Sequence, residues 1–239
     1  MKTNIDKTIN SLKVVCTLLI VLLLAPVSAS AADAWEYSAT KFSGGKGTQT
    51  DPYIIKTAQD LASLTYQTSH SIWTRTDFEG VYFLQTADIV LNDDVVKSVQ
   101  VDAYGRANFS APAFNTLKDW IPIGIYGAGA GFLSESPYWF KGHYDGGGHS
   151  VSGIYSYRGD LDNTLEAGNG YDNYLGLFGA VKGGSIKHLT VKDCLFRVCN
   201  VKAKSFAWRY IGAIAGKAED EVISNCHVEN TVICFEDDN

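Results

Sequence analysis

Along the C-terminal third of the chain the apolar residues follow neither helical spacing nor plain alternation. Ile186, Leu189 and Val191 stand at positions i, i+3 and i+5, and Ile223, Cys226 and Val228 repeat them 37 residues later without a gap. Leu177 and Gly179 fall on Ile214 and Gly216 at the same offset, and Val151 and Ile154 align upstream with Ile186 and Leu189 at an offset of 35. A helix stripe needs neighbours three and four apart and a half-buried strand needs period two, so this spacing predicts a strand, a bend and a second strand. Residues at the bend, Lys187-His188 and Ser224-Asn225, then face solvent. Stacking the copies lays Ile on Ile and Leu on Cys in a continuous interior, where each buried aliphatic contributes roughly 1.5–3 kcal/mol. Repetition at such a period marks a stacked array. Helical repeats conflict with the glycine positions, and a propeller needs at least about four four-stranded blades, more than this length supplies.

Upstream, one segment reads as a helix. Thr57 suits an N-cap, and Ala58, Leu61, Ala62 and Thr65 share one face with Leu64 beside them, which predicts a helix over 57–67. Tyr53-Ile54-Ile55 reads as a strand before it. Tyr82-Phe83-Leu84 to Ile89-Val90-Leu91 is a further β-rich run, and 119–124 contains another. The first layer of a stacked array has to be hidden from water, so residues 32–68 are expected to form an N-terminal strand-helix cap. The repeats then occupy 69–239, with an aromatic-rich insertion near 93–139.

The extreme N-terminus differs in kind. Lys2, Lys7 and Lys13 precede an apolar run over 14–24, closed by Ala25-Pro26 and the small residues Val27-Ser28-Ala29-Ser30-Ala31. This is the pattern of a secretory signal peptide, residues 1–31, with cleavage after Ala31. The run is about half of the roughly 20 residues that cross a bilayer, and Cys16 lies too early to carry a lipid. No integral membrane segment is expected after cleavage, and the protein is expected to be secreted or at the cell surface.

Charge narrows the partners. The chain has 20 basic and 26 acidic residues; losing three Lys and Asp6 with the leader leaves 17 against 25, or −8. Such a chain has no electrostatic reason to seek nucleic acid. Four cysteines remain, Cys194, Cys199, Cys226 and Cys234, which permits disulfides in three connectivities, although Cys226 in a leucine slot reads as a core residue. Their spacing is not that of a zinc site.

The ordered motifs resemble the glycine-rich repeat family named for the GLUG motif, found on secreted and surface-exposed bacterial proteins. The resemblance opens on Gly45-Lys46-Gly47-Thr48, Asp51-Pro52-Tyr53-Ile54-Ile55 and Thr57-Ala58-Gln59-Asp60-Leu61. It continues through Tyr82-Phe83-Leu84, Trp120-Ile121-Pro122-Ile123-Gly124 and the run from Phe140 through Asp145-Gly146-Gly147-Gly148 to Gly153. The repeats proper are Gly176-Leu177-Phe178-Gly179 and Gly212-Ala213-Ile214-Ala215-Gly216, with Ala213 where the motif usually has glycine. What the resemblance implies is an all-β protein, a right-handed parallel β-helix of the pectate-lyase-like kind, and a role in adhesion.

Candidate chemistry is sparse. Asn92-Asp93-Asp94 offers a carboxylate pair for a glycosidase, which needs an acid and a base on opposite sides of one bond, but neighbours on a strand point to opposite faces. Asp160, Asp162 and Glu166, with Lys182, Lys187 and Lys192, would suit a calcium-dependent lyase; a solvated loop and an outward lysine row explain them more simply. His143-x-Asp145-x-x-x-His149 has the form of a metal set, yet Asp145-Gly146-Gly147-Gly148 is more simply a turn, and His188 and His227 read as outward corner residues. No catalytic residue, metal ligand or cofactor is therefore assigned. The insertion gathers Tyr104, Phe109, Phe114, Trp120, Tyr126 and Phe132, and aromatic rings on loops can stack on sugars. Tyr138 and Trp139, beside the turn that starts at Phe140, are the expected ligand anchors, with Tyr126 next. The expected function is a non-catalytic exported module for adhesion or for recognition of glycans or host and cell-surface proteins. The alternatives are a carbohydrate-active enzyme on the same fold and a structural fragment of a longer surface protein.

Overall fold

In the computed structural model the chain divides into a leading unit, Met1–Ser30, and a second unit, Ala31–Asn239. The structure describes residues 32, 34–69, 75–97, 99–101, 103, 107–108, 116–124, 139–158, 174–200 and 210–237. The leader, Tyr126, Tyr138 and the acidic set Asp160, Asp162 and Glu166 lie outside them. All that follows concerns the second unit.

β1 (Tyr53–Ile55) leads into α1 (Ala58–Ser69), the one helix among the described residues. Thr57 caps it as the sequence predicts. Its hydroxyl accepts the Asp60 N–H at 3.2 Å, while the Asp60 carboxylate accepts the Thr57 N–H at 2.9 Å, the reciprocal arrangement of a capping box. Asp60 is buried and also accepts from the Ser43 N–H and hydroxyl and the Lys56 N–H. The first helical turn is thereby tied to the segment before β1. Ala58, Leu61, Ala62 and Leu64 bury their side chains in the main core. The helix runs two residues past its predicted end, where the Thr68 hydroxyl donates back to Leu64 and Thr65.

The rest is strand. β2 (Tyr82–Gln85), β3 (Ile89–Val90), β4 (Gln100–Val101), β5 (Ala107–Asn108), β6 (His143–Asp145), β7 (Ser150–Ser152), β8 (Tyr155–Arg158), β9 (Tyr174–Leu175), β10 (Phe178–Lys182), β11 (Ser185–Lys187), β12 (Thr190–Lys192) and β13 (Leu195–Asn200) precede β14 (Tyr210–Ile211), β15 (Ala215–Glu219), β16 (Val222–Ser224), β17 (His227–Glu229) and β18 (Val232–Asp237). They form parallel sheets in the orders β1-β2-β6-β11-β16, β17-β12-β7-β3, β18-β13-β8, β10-β15 and β14-β9. β4 and β5 form a separate antiparallel pair. Among the described residues the fold is therefore all-β apart from α1. The run predicted as a strand over 119–124 contributes isolated bridges only, Asp119 to Tyr155 and Ile123 to Phe178.

The 37-residue repeat sets the register of the last two copies: Ile186 pairs with Ile223 and Val191 with Val228. The upstream copy differs from expectation. Tyr144, not Val151, stands beside Ile186, at an offset of 42, and Val151 stands beside Val191, at an offset of 40. The i, i+3, i+5 spacing recurs at successive corners of one copy, as Ile186-Leu189-Val191 and again as Val191-Cys194-Phe196, so the sequence match was one corner out of phase. The longer turn through Gly146, Gly147 and Gly148 accounts for the change of offset between the two faces.

Corners are built alike. Gly183 and Asp220, His188 and Asn225, and Asp193 and Asn230 are equivalent pairs, and all six have φ between 40° and 71°. Asp and Asn tolerate this left-handed conformation better than other residues with a Cβ. Gly184 is required by space. A Cβ there would lie 2.1 Å from the Gly142 carbonyl oxygen of the preceding copy.

Inward residues of the parallel sheets merge into a main core, with Trp35, Trp120, Tyr144, Phe83, Phe140 and Phe178 among its largest members, and Val95, Tyr155 and Leu195 form a smaller cluster. Successive rings lie 5.3–5.8 Å apart along Phe83, Phe140 and Phe178. Buried Tyr144 and Gln85 satisfy each other: the Tyr144 hydroxyl donates to Gln85 Oε1, and Gln85 Nε2 donates to the Ala87 and Ser150 carbonyls. The Cys194 thiol is buried, which pushes its pKa up to about 12, and Cys226 packs half-buried against the core as its leucine slot implies. Neither is in a disulfide. The last copy departs from expectation in one respect. Ile223 and Val228 keep the predicted register, and Ile233 stands beside Phe196 at the same offset, but the three are 40%, 50% and 44% exposed, whereas Ile186, Val191 and Phe196 are fully buried.

Candidate functional site

Two clusters occupy the outward faces. The first surrounds Trp139. The next residue, Phe140, is buried and bridges to Val181, which anchors the backbone there. Trp139 is half-buried, with Lys182 Nζ 5.6 Å and Lys217 Nζ 5.0 Å from its ring centroid. Such cation–π contacts are worth roughly 0.5–1 kcal/mol each at exposed sites. Lys182 on β10 stands in register with Glu219 on β15 and pairs with it, and Lys217 Nζ lies 3.8 Å from the same carboxylate. The bond from Lys182 holds the Glu219 carboxyl below the usual carboxylate range. Three successive segments of the stack therefore converge on one aromatic ring.

The second cluster lies on the outer face of the five-stranded sheet. Tyr82, His143 and Ser185 form one row. The Tyr82 and His143 rings stack at 4.4 Å and 24°, and His143 Nδ1 lies 3.0 Å from the Ser185 hydroxyl. In the next row Asp145 meets Lys187 Nζ at 3.2 Å, His188 Nδ1 at 3.0 Å and the Gly147 N–H at 3.0 Å. Burial raises the Asp145 pKa, but the Gly147, His188 and Lys187 contacts outweigh it and leave the carboxyl below its ordinary value. Elsewhere the buried Tyr174 stacks on the exposed Tyr210 at 5.0 Å.

The predicted site residues are thus sorted. Trp139 lies in a charged cluster, while Tyr126 and Tyr138 fall outside the described residues. Trp120, drawn from the same aromatic stretch, is a core residue whose indole N–H donates to the Leu177 carbonyl. Asp93 accepts the Ala32 N–H and Asp94 pairs with Lys97 at 2.6 Å, so the carboxylate pair is spent on separate partners, and Asn92 is buried against Lys118 and Gly153. His143, Asp145 and His149 also diverge, His149 lying 3.5 Å from Asp88. Among the described residues no three His, Cys, Asp or Glu side chains are grouped to hold a metal ion.

One residue escaped sequence reasoning. Glu221 stands one copy on from Gly184, where the close contact with the preceding copy otherwise demands glycine. Its Oε2 accepts the Gly184 N–H at 2.7 Å and its Oε1 is buried without a partner. Burial raises its pKa to about 7. The 37-residue alignment already sets a carboxyl against a glycine at this position, and that mismatch was the available signal.

Parallel sheets bearing aromatic and ionic rows on their outer faces define an all-β protein with side-chain clusters on its surface. No family model and no solved structure matches the chain. It is similar to a protein of Evansella cellulosilytica provisionally named as a Gly-rich membrane protein, 26% identical over 189 residues, which cover 79% of this chain and 16% of that protein. The chain thus spans about one sixth of that relative's length. No helix among the described residues is long and apolar enough to cross a membrane.

Proposed function

We propose that the protein is an exported, non-catalytic recognition module, a right-handed parallel β-helix of the GLUG kind capped at its start by β1 and α1. It reads acidic glycans at a cell surface through the cluster around Trp139. Parallel sheets in register, turning at equivalent corner residues, support the β-helix. The name of the Evansella protein agrees with a setting at the cell envelope. The observation that carries the functional reading is the placement of two ammonium groups beside one indole on a backbone held by Phe140. A uronate or sulfated sugar offers both an anionic group for Lys217 and an apolar ring face for Trp139. The carboxylates near these clusters are engaged as acceptors, which suits binding better than acid–base chemistry.

The test is an array of neutral and acidic glycans probed with the mature protein and with Trp139→Ala, each checked for an unchanged melting curve. Binding to acidic glycans is expected to fall at least about tenfold in the variant, close to 1.4 kcal/mol. Equal binding by both proteins overturns the assignment of Trp139, and appearance of new polysaccharide chain ends overturns the non-catalytic reading in favour of a carbohydrate-active enzyme.

A further inference from the structure

The cluster around Trp139 already holds a group of the kind it is proposed to recognise. Lys182 Nζ and Lys217 Nζ lie 5.6 and 5.0 Å from the indole centroid, and one carboxylate engages both. Lys182 pairs with Glu219 Oε1, and Lys217 Nζ lies 3.8 Å from Glu219 Oε2. Strand geometry enforces the arrangement. Lys217 and Glu219 are two apart on β15 and so share one face, while Lys182 on β10 stands in register beside Glu219. Two ammonium groups and one carboxylate leave one unit of positive charge beside the ring. All three charged side chains are part-exposed, so the carboxylate can leave the lysines for water without burying a charge.

An unpaired set of two ammoniums beside an indole would attract any anion, but here the anion's place is filled. We infer that Glu219 is the resident counter-ion of this site, a built-in competitor that a ligand carboxylate displaces from Lys182 and Lys217 as its sugar ring reaches Trp139. The inference rests on the acidic-glycan reading and adds to it the residue that sets its specificity. A uronate reproduces the charge and the two acceptor oxygens of the group it replaces. Tethering sets how hard that replacement is, because a carboxylate fixed beside its partners acts at an effective concentration in the millimolar range or above. The bond from Lys182 holds the Glu219 carboxyl below the usual carboxylate range, so the competitor stays charged at neutral pH. Glu219 therefore weakens acidic ligands and leaves neutral ones, which use the ring alone, unaffected.

The test titrates an oligogalacturonate and a neutral galactan oligomer into the mature protein and into Glu219→Gln, which keeps the length of the side chain and removes its charge. Glu219→Gln is expected to bind the oligogalacturonate at least about threefold more tightly, the scale of one part-exposed ion pair. Added salt should weaken that binding more steeply than in the unaltered protein, because the positive charge at the ring has doubled. Binding of the neutral oligomer should not change, and Glu219→Asp, which keeps the charge, should bind the oligogalacturonate more weakly than Glu219→Gln. Equal or weaker binding of the oligogalacturonate by Glu219→Gln overturns this inference, and the glycan reading survives if Trp139→Ala still weakens the binding. An equal gain toward the neutral oligomer also overturns it, since the change would then act through the shape of the surface and not through charge. Failure of both proteins to bind the oligogalacturonate overturns the inference together with the reading it rests on.

Discussion

The copy formed by β10 to β13 and the copy formed by β15 to β18 share spacing, register and corner conformations, yet one is sealed and the other open. His188 and Asn225 have the same φ of 52°, and Ile186 lies beside Ile223. Ile186 is nevertheless fully buried while Ile223 is 40% exposed. Conformation is thus a property of the copy itself, whereas burial is a property of what lies on both sides of it. At the opposite end, α1 places Leu61 and Leu64 in the core.

The largest effect that can break this comparison is a charge placed in the shared column. Ile186→Asp buries a carboxyl with no partner and should cost at least about 3 kcal/mol or abolish folding. Ile223→Asp removes a half-exposed aliphatic and should cost about 1 kcal/mol. Urea melts of the two variants decide it, and equal losses would mean that the two copies are not sealed and open as described.

A smaller difference is expected in the glycine column. Gly184→Ala forces a methyl group against the Gly142 carbonyl and should cost about 1–3 kcal/mol as overpacking. Glu221 carries a Cβ at the equivalent position in the last copy, so Glu221→Ala should cost less than Gly184→Ala in the same thermal melt. The reverse order would show that the last copy is held as tightly as the one before it.

The smallest effect sharpens the comparison through pH. The folded chain raises the Glu221 carboxyl from 4.5 to about 7, so between those values the folded state binds a proton that the unfolded state has released. Stability from this group therefore falls as pH rises from about 4.5 to 7. Asp88, Asp145 and Glu219 have lowered values and act in the opposite sense, losing their contribution only as pH falls through the carboxylate range. Glu221→Gln should leave the melting temperature unchanged near pH 4.5 and raise it by a few degrees at pH 8, since about 1 kcal/mol moves a domain of this size by roughly 2–4 °C. An identical shift at both pH values would sink the assignment.

Much of the architecture could be read in advance because it is local. The i, i+3, i+5 spacing placed Ile186, Leu189 and Val191 inward, Thr57 marked the start of α1, and the 37-residue repeat predicted the pairing of β11 with β16 to the residue. The same locality explains the error upstream, since a spacing that recurs at every corner cannot say which corner it belongs to. Trp120 and Trp139 show where pattern stops. Both lie in a glycine- and aromatic-rich stretch without a period, yet one fills the core and the other collects Lys182 and Lys217.

By itself, then, the sequence determined the repeat, the inward set of the regular copies and the capping of α1, because each depends on residues close in the chain or on one uninterrupted period. Tertiary structure alone decided the offsets of the upstream copy, the fates of the two tryptophans, the pairing of Asp145 with His188 and Lys187, the buried carboxyl of Glu221 and the exposure of the last copy. Those outcomes depend on which segments meet across tens of residues, and on whether anything lies beyond them to exclude water.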